Sequence, residues 1–108
     1  HPHVLQRAEA VGEGWILYSM GNWSFGGNTA PRDRDTAIAQ ITVRRDPDGS
    51  LHLAPPQFIP CKLSGSDGVN DYQPTPYEPD TPEYERAMGK LDGSWTGADL
   101  SIDYSAFH

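Results

Sequence analysis

The chain has 108 residues, a net charge of −7 and one cysteine, which is room for one domain and leaves no internal disulfide and no cysteine-based zinc finger. An acidic chain repels a phosphate backbone, so nucleic acid is excluded as a partner, and no apolar run approaches the ~20 residues of a membrane-spanning helix. Leu, Ile, Val and Phe supply only 19 of the 108 residues, a share under the ~20% at which, with this charge, disorder enters, while three Trp and five Tyr argue for burial of large rings.

In chain order, "HPHVLQ" opens the sequence with two histidines around a proline. "GWILYSMG" (14–21) is an apolar run closed by glycines, the length of a strand buried on both faces. "DTAIAQITVRRD" alternates, with Ala37, Ala39, Ile41 and Val43 on one face of a half-buried strand. "DPDGS" (46–50) supplies Pro and Gly at turn positions, and Leu51 and Leu53 resume the alternation, so 35–54 reads as a hairpin. "QFIPCKL" predicts a further strand. Pro60 has no N–H to give a ladder, which places that strand at an edge or at a bulge. Residues 64–80 read as one long loop, of the kind that is functional or lies over a partner surface. The helix follows, with Thr81 as N-cap, Pro82 at the first position and Gly93 as C-cap. Tyr84, Ala87, Met88 and Leu91 form its apolar stripe. Residues 99–104 alternate as a final strand. No segment reads as a signal peptide. The order predicts a β-rich α+β fold with several strands and one helix, and the few aliphatics predict a thin core. The chain then reads as a piece that completes a larger domain.

The residues with chemical potential are few. In an extended segment the side chains at i and i+2 point the same way, so His1 and His3 can aim two imidazoles at one point, and imidazole is the commonest metal ligand. Taken alone, the tripeptide reads more simply as a disordered terminus or a cloning remnant, because H-x-H by itself is a weak motif. Two histidines also leave zinc short of its four ligands, and no motif places His52 or His108. Asp33 and Asp35 read as a solvated loop rather than an acid–base pair. Asp46 and Asp48 belong to their turn. Cys61 reads as a small buried hydrophobe. Trp15, Trp23 and Phe25 could form a sugar platform, with core packing the plainer reading.

Taken in order, "HPHVLQ", "ILYSMGNWSFGGN", "DTAIAQITV" and "FIPCKLSG…NDYQPTPY" resemble the C-terminal part of bacterial capsule (poly-γ-glutamate) biosynthesis proteins of the CapA type, in the calcineurin-like metallophosphoesterase superfamily. The resemblance covers residues 1 to about 92. Its most specific stretch is "YSMGNWSFGGN", close to a family pattern Tyr-Ser-Leu-Gly-Asn-Phe-x-Phe. Trp23 stands where the family usually has Phe.

The resemblance implies that residues 1–108 are one C-terminal segment of a four-layer α/β/β/α sandwich built around two divalent metal ions. His1 and His3 match the two histidines of the superfamily's Gly-His-x-His motif and would be metal ligands. Asn22 matches the family's Gly-Asn and would line the substrate site, with a turn-forming role as the equal alternative. The remaining ligands would come from an N-terminal part of the same domain, so this segment alone is expected to be metal-free and inactive. In the full-length protein the two metals would activate a water against a phosphoryl or similar ester centre. The implied location is the cell envelope, outside the cytoplasm. The partners are the N-terminal part, an anionic capsule polymer, or a second copy through exposed apolar surface. The alternative function is non-catalytic: binding, exporting or anchoring a surface polymer.

Overall fold

The computed structural model describes residues 2–24, 33–66 and 69–95. Within them the chain is a small α+β fold of three sheets and one helix. The elements are β1 (Ala8–Val11), β2 (Gly14–Leu17), β3 (Asp35–Gln40), β4 (Val43–Arg45), β5 (Leu51–Leu53), β6 (Gln57–Lys62), β7 (Thr75–Pro76) and α1 (Pro82–Asp92). Strands β1 and β2 pair as a hairpin, β4 and β5 as another, and the third sheet has the order β3-β6-β7. The alternating segment 99–104 lies outside the described residues.

The run from Gly14 to Gly21 is not one strand buried on both faces. β2 ends at Leu17, and Ile16 and Tyr18 are exposed, because among the described residues β2 pairs only with β1 and a two-stranded hairpin covers little of either face. Beyond β2 the chain is held by single bridges, Leu5 to Met20 and Gly21 to Thr36.

The predicted 35–54 hairpin splits in two. β3 stops at Gln40 and pairs antiparallel with β6, Asp35 opposite Lys62 through to Gln40 opposite Gln57. The chain leaves that sheet at Ile41 and Thr42, so Ile41 and Val43 are exposed rather than on the buried face. The Asp46–Ser50 turn forms as expected, closed by Asp46 N–H to Ser50 C=O and Gly49 N–H to Asp46 C=O, both at 2.9 Å, and it joins only β4 to β5.

Pro60 sits on the central strand, against expectation. The cause is the brevity of β7, which pairs only with Cys61 and Lys62. Pro60 C=O accepts from Tyr77 N–H at 2.9 Å. A residue's N and C=O point to the same side of a strand, so the missing N–H falls at the end of the short β7 ladder and not among the bonds to β3. β7 also interrupts the predicted 64–80 loop. The start of that loop folds on Ser64, whose fully buried hydroxyl accepts from Ser66 N–H at 3.1 Å and Asp71 N–H at 3.0 Å and donates to Val69 C=O at 2.8 Å.

The helix has the bounds its caps predict. Thr81 is extended, and its hydroxyl accepts from Tyr84 N–H at 3.3 Å. Gly93 closes the helix in the left-handed region at φ 85°. The core is Leu5, Ala37, Ala87 and Leu91, with Met20, Phe58, Tyr77 and Met88 packed against it. Helix α1 therefore covers the β3–β6 face that carries Asp35, Ala37 and Phe58. On the opposite face Ile38, Gln40 and Gln57 are exposed. Leu51, Leu53 and Val43 are exposed on the β4–β5 hairpin, and Trp23 is 43% exposed. Core packing of the Trp15–Trp23–Phe25 group thus fails at Trp23, where the chain has left the sheet after Gly21; Phe25 is not among the described residues.

Candidate functional site

Three distant segments meet at the start of β3. Gln6 N–H donates to Ser19 C=O at 3.0 Å, and the Thr36 hydroxyl donates to Met20 C=O at 2.9 Å. Gly21, at φ 73°, lies so close to β3 that a Cβ there would stand 2.7 Å from the Asp35 carbonyl oxygen and 3.5 Å from the Leu5 nitrogen. Only glycine fits both the conformation and the space. Residue 22 is thereby delivered to the side of residue 3.

There His3 and Asn22 are in contact. The ring nitrogen Nδ1 of His3 is 2.6 Å from Asn22 Oδ1, and Asn22 Nδ2 reaches the His3 carbonyl oxygen at 3.5 Å. One amide thus addresses both the ring and the backbone of the same residue. Asn22 is 6% exposed, so the contact is sheltered from competing water. His3 holds φ 58°, a left-handed conformation that costs a non-glycine residue about 1–2 kcal/mol. The H-P-H segment is consequently not extended through His3. His1 lies outside the described residues. Val4 and Leu5, which follow His3, are buried, so the fold anchors the chain directly after His3.

Among the described residues no group of three or more His, Cys, Asp or Glu is gathered as a metal cage. His52 belongs to the β4–β5 hairpin, where its Nε2 lies 2.8 Å from Asp46 Oδ2 and 3.5 Å from the Ser50 hydroxyl. Both partners approach the same ring nitrogen, so this Ser–His–Asp set cannot relay a proton. Cys61 is fully buried, as its sequence reading has it. Burial pushes its thiol up, which suits packing and not nucleophilic attack.

Asp33 and Asp35, read from sequence as a solvated loop, are instead the centre of a buried ion cluster. Arg86 donates from Nε to Asp35 Oδ2 and from Nη2 to Oδ1, both at 2.7 Å. The Lys90 ammonium lies 2.8 Å from Asp33 Oδ2 and 2.9 Å from Asp35 Oδ2, and the Tyr77 hydroxyl donates to Asp35 Oδ1 at 2.7 Å. The side chains of Lys90, Asp35 and Asp33 are 1%, 2% and 8% exposed. Burial raises Asp35, but the hydrogen bonds from Arg86, Lys90 and Tyr77 outweigh it and hold the carboxyl below its ordinary value. At Asp33 burial prevails over Lys90 and the carboxyl is raised. Tyr77 is raised by burial and by the Asp35 charge, and Arg86 by its bond to Asp35. Two acids and two bases balance, each anchored by another. The cluster joins β3 to α1 and leaves no uncommitted acid or base. Only the spacings were visible in the sequence, Arg86 and Lys90 at i, i+4 on one helix face and Asp33 and Asp35 at i, i+2, and not the pairing between them.

Beside the cluster, a cavity of ≈ 530 Å³ at the start of α1 brings Arg34, Lys62 and Arg86 together with Glu78 and Glu83. With both signs on its wall it selects no simple ion. No family model matches the chain, and no curated protein and no solved structure matches it.

Proposed function

We propose that the chain is the C-terminal part of a capsule (poly-γ-glutamate) biosynthesis protein of the CapA type with a metallophosphoesterase-like fold. In it His1 and His3 are ligands of a divalent metal centre that Asn22 lines. The observation that carries the reading is the 2.6 Å contact between His3 and Asn22. It joins the two motifs, "HPH" and "GN", that the family resemblance assigns to one site. The arrangement at His3 fits a ligand position: a neutral imidazole with one nitrogen hydrogen-bonded to a buried side chain is the usual state of a metal-binding histidine. The described residues supply one such ligand, and an upstream part of the domain is needed for the set.

The sheet arrangement supports the same reading. α1 covers one face of β3–β6 and the other face presents Ile38 and Ile59, as a half of an α/β/β/α sandwich would toward its second sheet. When bound, a divalent pair supplies Lewis acidity to a phosphoryl-type ester and activates water. Asn22 and His3 hold their geometry for that site through the buried amide, while the Asp33–Asp35 cluster keeps β3 in place beneath it.

The test is metal content and phosphodiester hydrolysis of the protein extended upstream, with and without His1→Ala and His3→Ala. Both quantities are expected to fall together in the variants, and the 108-residue chain alone is expected to hydrolyse at background rate. An extended protein that binds no metal yet retains binding to an anionic polymer would replace this reading with the non-catalytic one.

A further inference from the structure

We infer that Asn22 is a positioning residue that fixes His3 in its Nδ1–H tautomer and so makes Nε2 the basic nitrogen of that ring. The inference deepens the proposed function, and rests on it only for the nature of the group that Nε2 would meet.

An amide oxygen accepts hydrogen bonds and never donates them, so a 2.6 Å contact to Asn22 Oδ1 requires the proton to be on His3 Nδ1. Which end of the amide faces the ring is set by the other contact. The His3 carbonyl can only accept, so it takes the Nδ2 end of Asn22 and leaves Oδ1 for the ring. A flipped amide would set its oxygen against the His3 carbonyl, acceptor against acceptor, and lose that bond. The lone pair of the neutral ring then lies on Nε2, which is the reverse of the tautomer that free histidine favours in water.

Two further features show that this geometry is imposed. His3 is held at φ 58°, and strain of this kind persists where surrounding structure over-determines it and clusters at functional sites. Asn22 is held in turn by Gly21, whose position no larger residue can share. A buried asparagine with no task beyond turn formation needs neither a strained partner nor a bond to a ring nitrogen.

The experiment uses the ¹⁵N-labelled 108-residue chain and long-range proton–nitrogen spectra of its imidazoles, at a pH where His3 is neutral, with His3→Gln identifying the signals. Wild type is expected to show Nδ1 protonated. Asn22→Asp keeps an acceptor at the same place and is expected to keep that tautomer. Asn22→Leu removes it and is expected to move the majority of the ring to Nε2–H. A wild-type ring protonated on Nε2, or an Asn22→Leu ring unchanged from wild type, overturns the inference. If Asn22→Leu does not fold, wild type and Asn22→Asp decide it. Zinc ion is then added to the same variants of the protein extended upstream, because the 108-residue chain alone lacks the other ligands. A perturbation of His3 Nε2 that weakens about tenfold or more in Asn22→Leu supports both readings. A wild-type Nδ1–H ring that zinc leaves unchanged supports the positioning role and overturns the metal reading.

Discussion

Replacing Lys90 with methionine keeps most of the stem and removes the charge that two buried carboxylates share. At 2.8 and 2.9 Å each contact carries about 6 kcal/mol of attraction at an effective dielectric of ~20. Stripping water from three charges costs several kcal/mol per ion, so the intact cluster is close to balance. The variant is not balanced, because Asp33 and Asp35 stay buried with Arg86 as their remaining cation. The least costly response is a proton on Asp33, whose carboxyl burial already raises. Protonating a carboxyl of ordinary pKa about 3.9 at pH 7 costs about 4 kcal/mol at 1.36 kcal/mol per unit. The expected loss is therefore about 4 kcal/mol at pH 7, inside the range for broken buried pairs, and about 1.5 kcal/mol at pH 5 by the same slope. Urea unfolding followed by tryptophan fluorescence at the two pH values measures it. Adding Asp33→Asn to Lys90→Met should recover most of the loss at pH 7. A loss under about 1 kcal/mol, a loss independent of pH, or a double variant no better than the single one would refute the reasoning.

Asp35 is lowered in the fold, so its stabilisation is complete above the ordinary carboxylate value and is lost as pH falls through the lowered one. Asp35→Asn should cost about 3 kcal/mol at pH 7 and progressively less as pH falls below the ordinary carboxylate value in the same unfolding assay. Thr81→Ala removes the N-cap acceptor of α1 and should cost about 1 kcal/mol. Gly21→Ala meets both a φ of 73° and a backbone oxygen at 2.7 Å. It should cost at least about 2 kcal/mol and release the His3–Asn22 contact, read as a changed His3 ring spectrum. The Cys61 thiol should resist a disulfide reagent in the native chain at pH 8 and react in full after unfolding, since it is fully buried.

What the sequence made legible was local. The caps of α1 and the Asp46–Ser50 turn are each set by a few neighbouring residues whose own hydrogen bonds define them. The pairing of β3 with β6 was not legible, because the turn at 46–50 argued for the nearer partner and nothing local marks Ile41 as the point of departure. Pro60 misled for a related reason: its missing N–H argues for an edge only if the neighbouring strand is long enough to ask for it. The ion cluster was hidden by distance, since Asp35 and Arg86 are 51 residues apart and Asp33 and Lys90 are 57. A charged residue judged against its neighbours reads as surface. At the candidate site, the motifs named His3 and Asn22 separately; the contact between them depends on Gly21 and β3, which only the fold brings together.

The separation of those ion pairs along the chain also bears on the kinetics of the fold. Closing a segment of more than fifty residues carries an entropic cost that grows with the logarithm of its length, and neither carboxylate gains a partner until β3 and α1 have docked. A cluster that completes only after the folding barrier would show in Lys90→Met as faster unfolding at an unchanged folding rate, read from stopped-flow chevron plots. Interactions absent at the barrier slow unfolding without hastening folding. In this small fold, whose described residues include only seven buried hydrophobic ones, buried charge would then act as the latch on the folded chain.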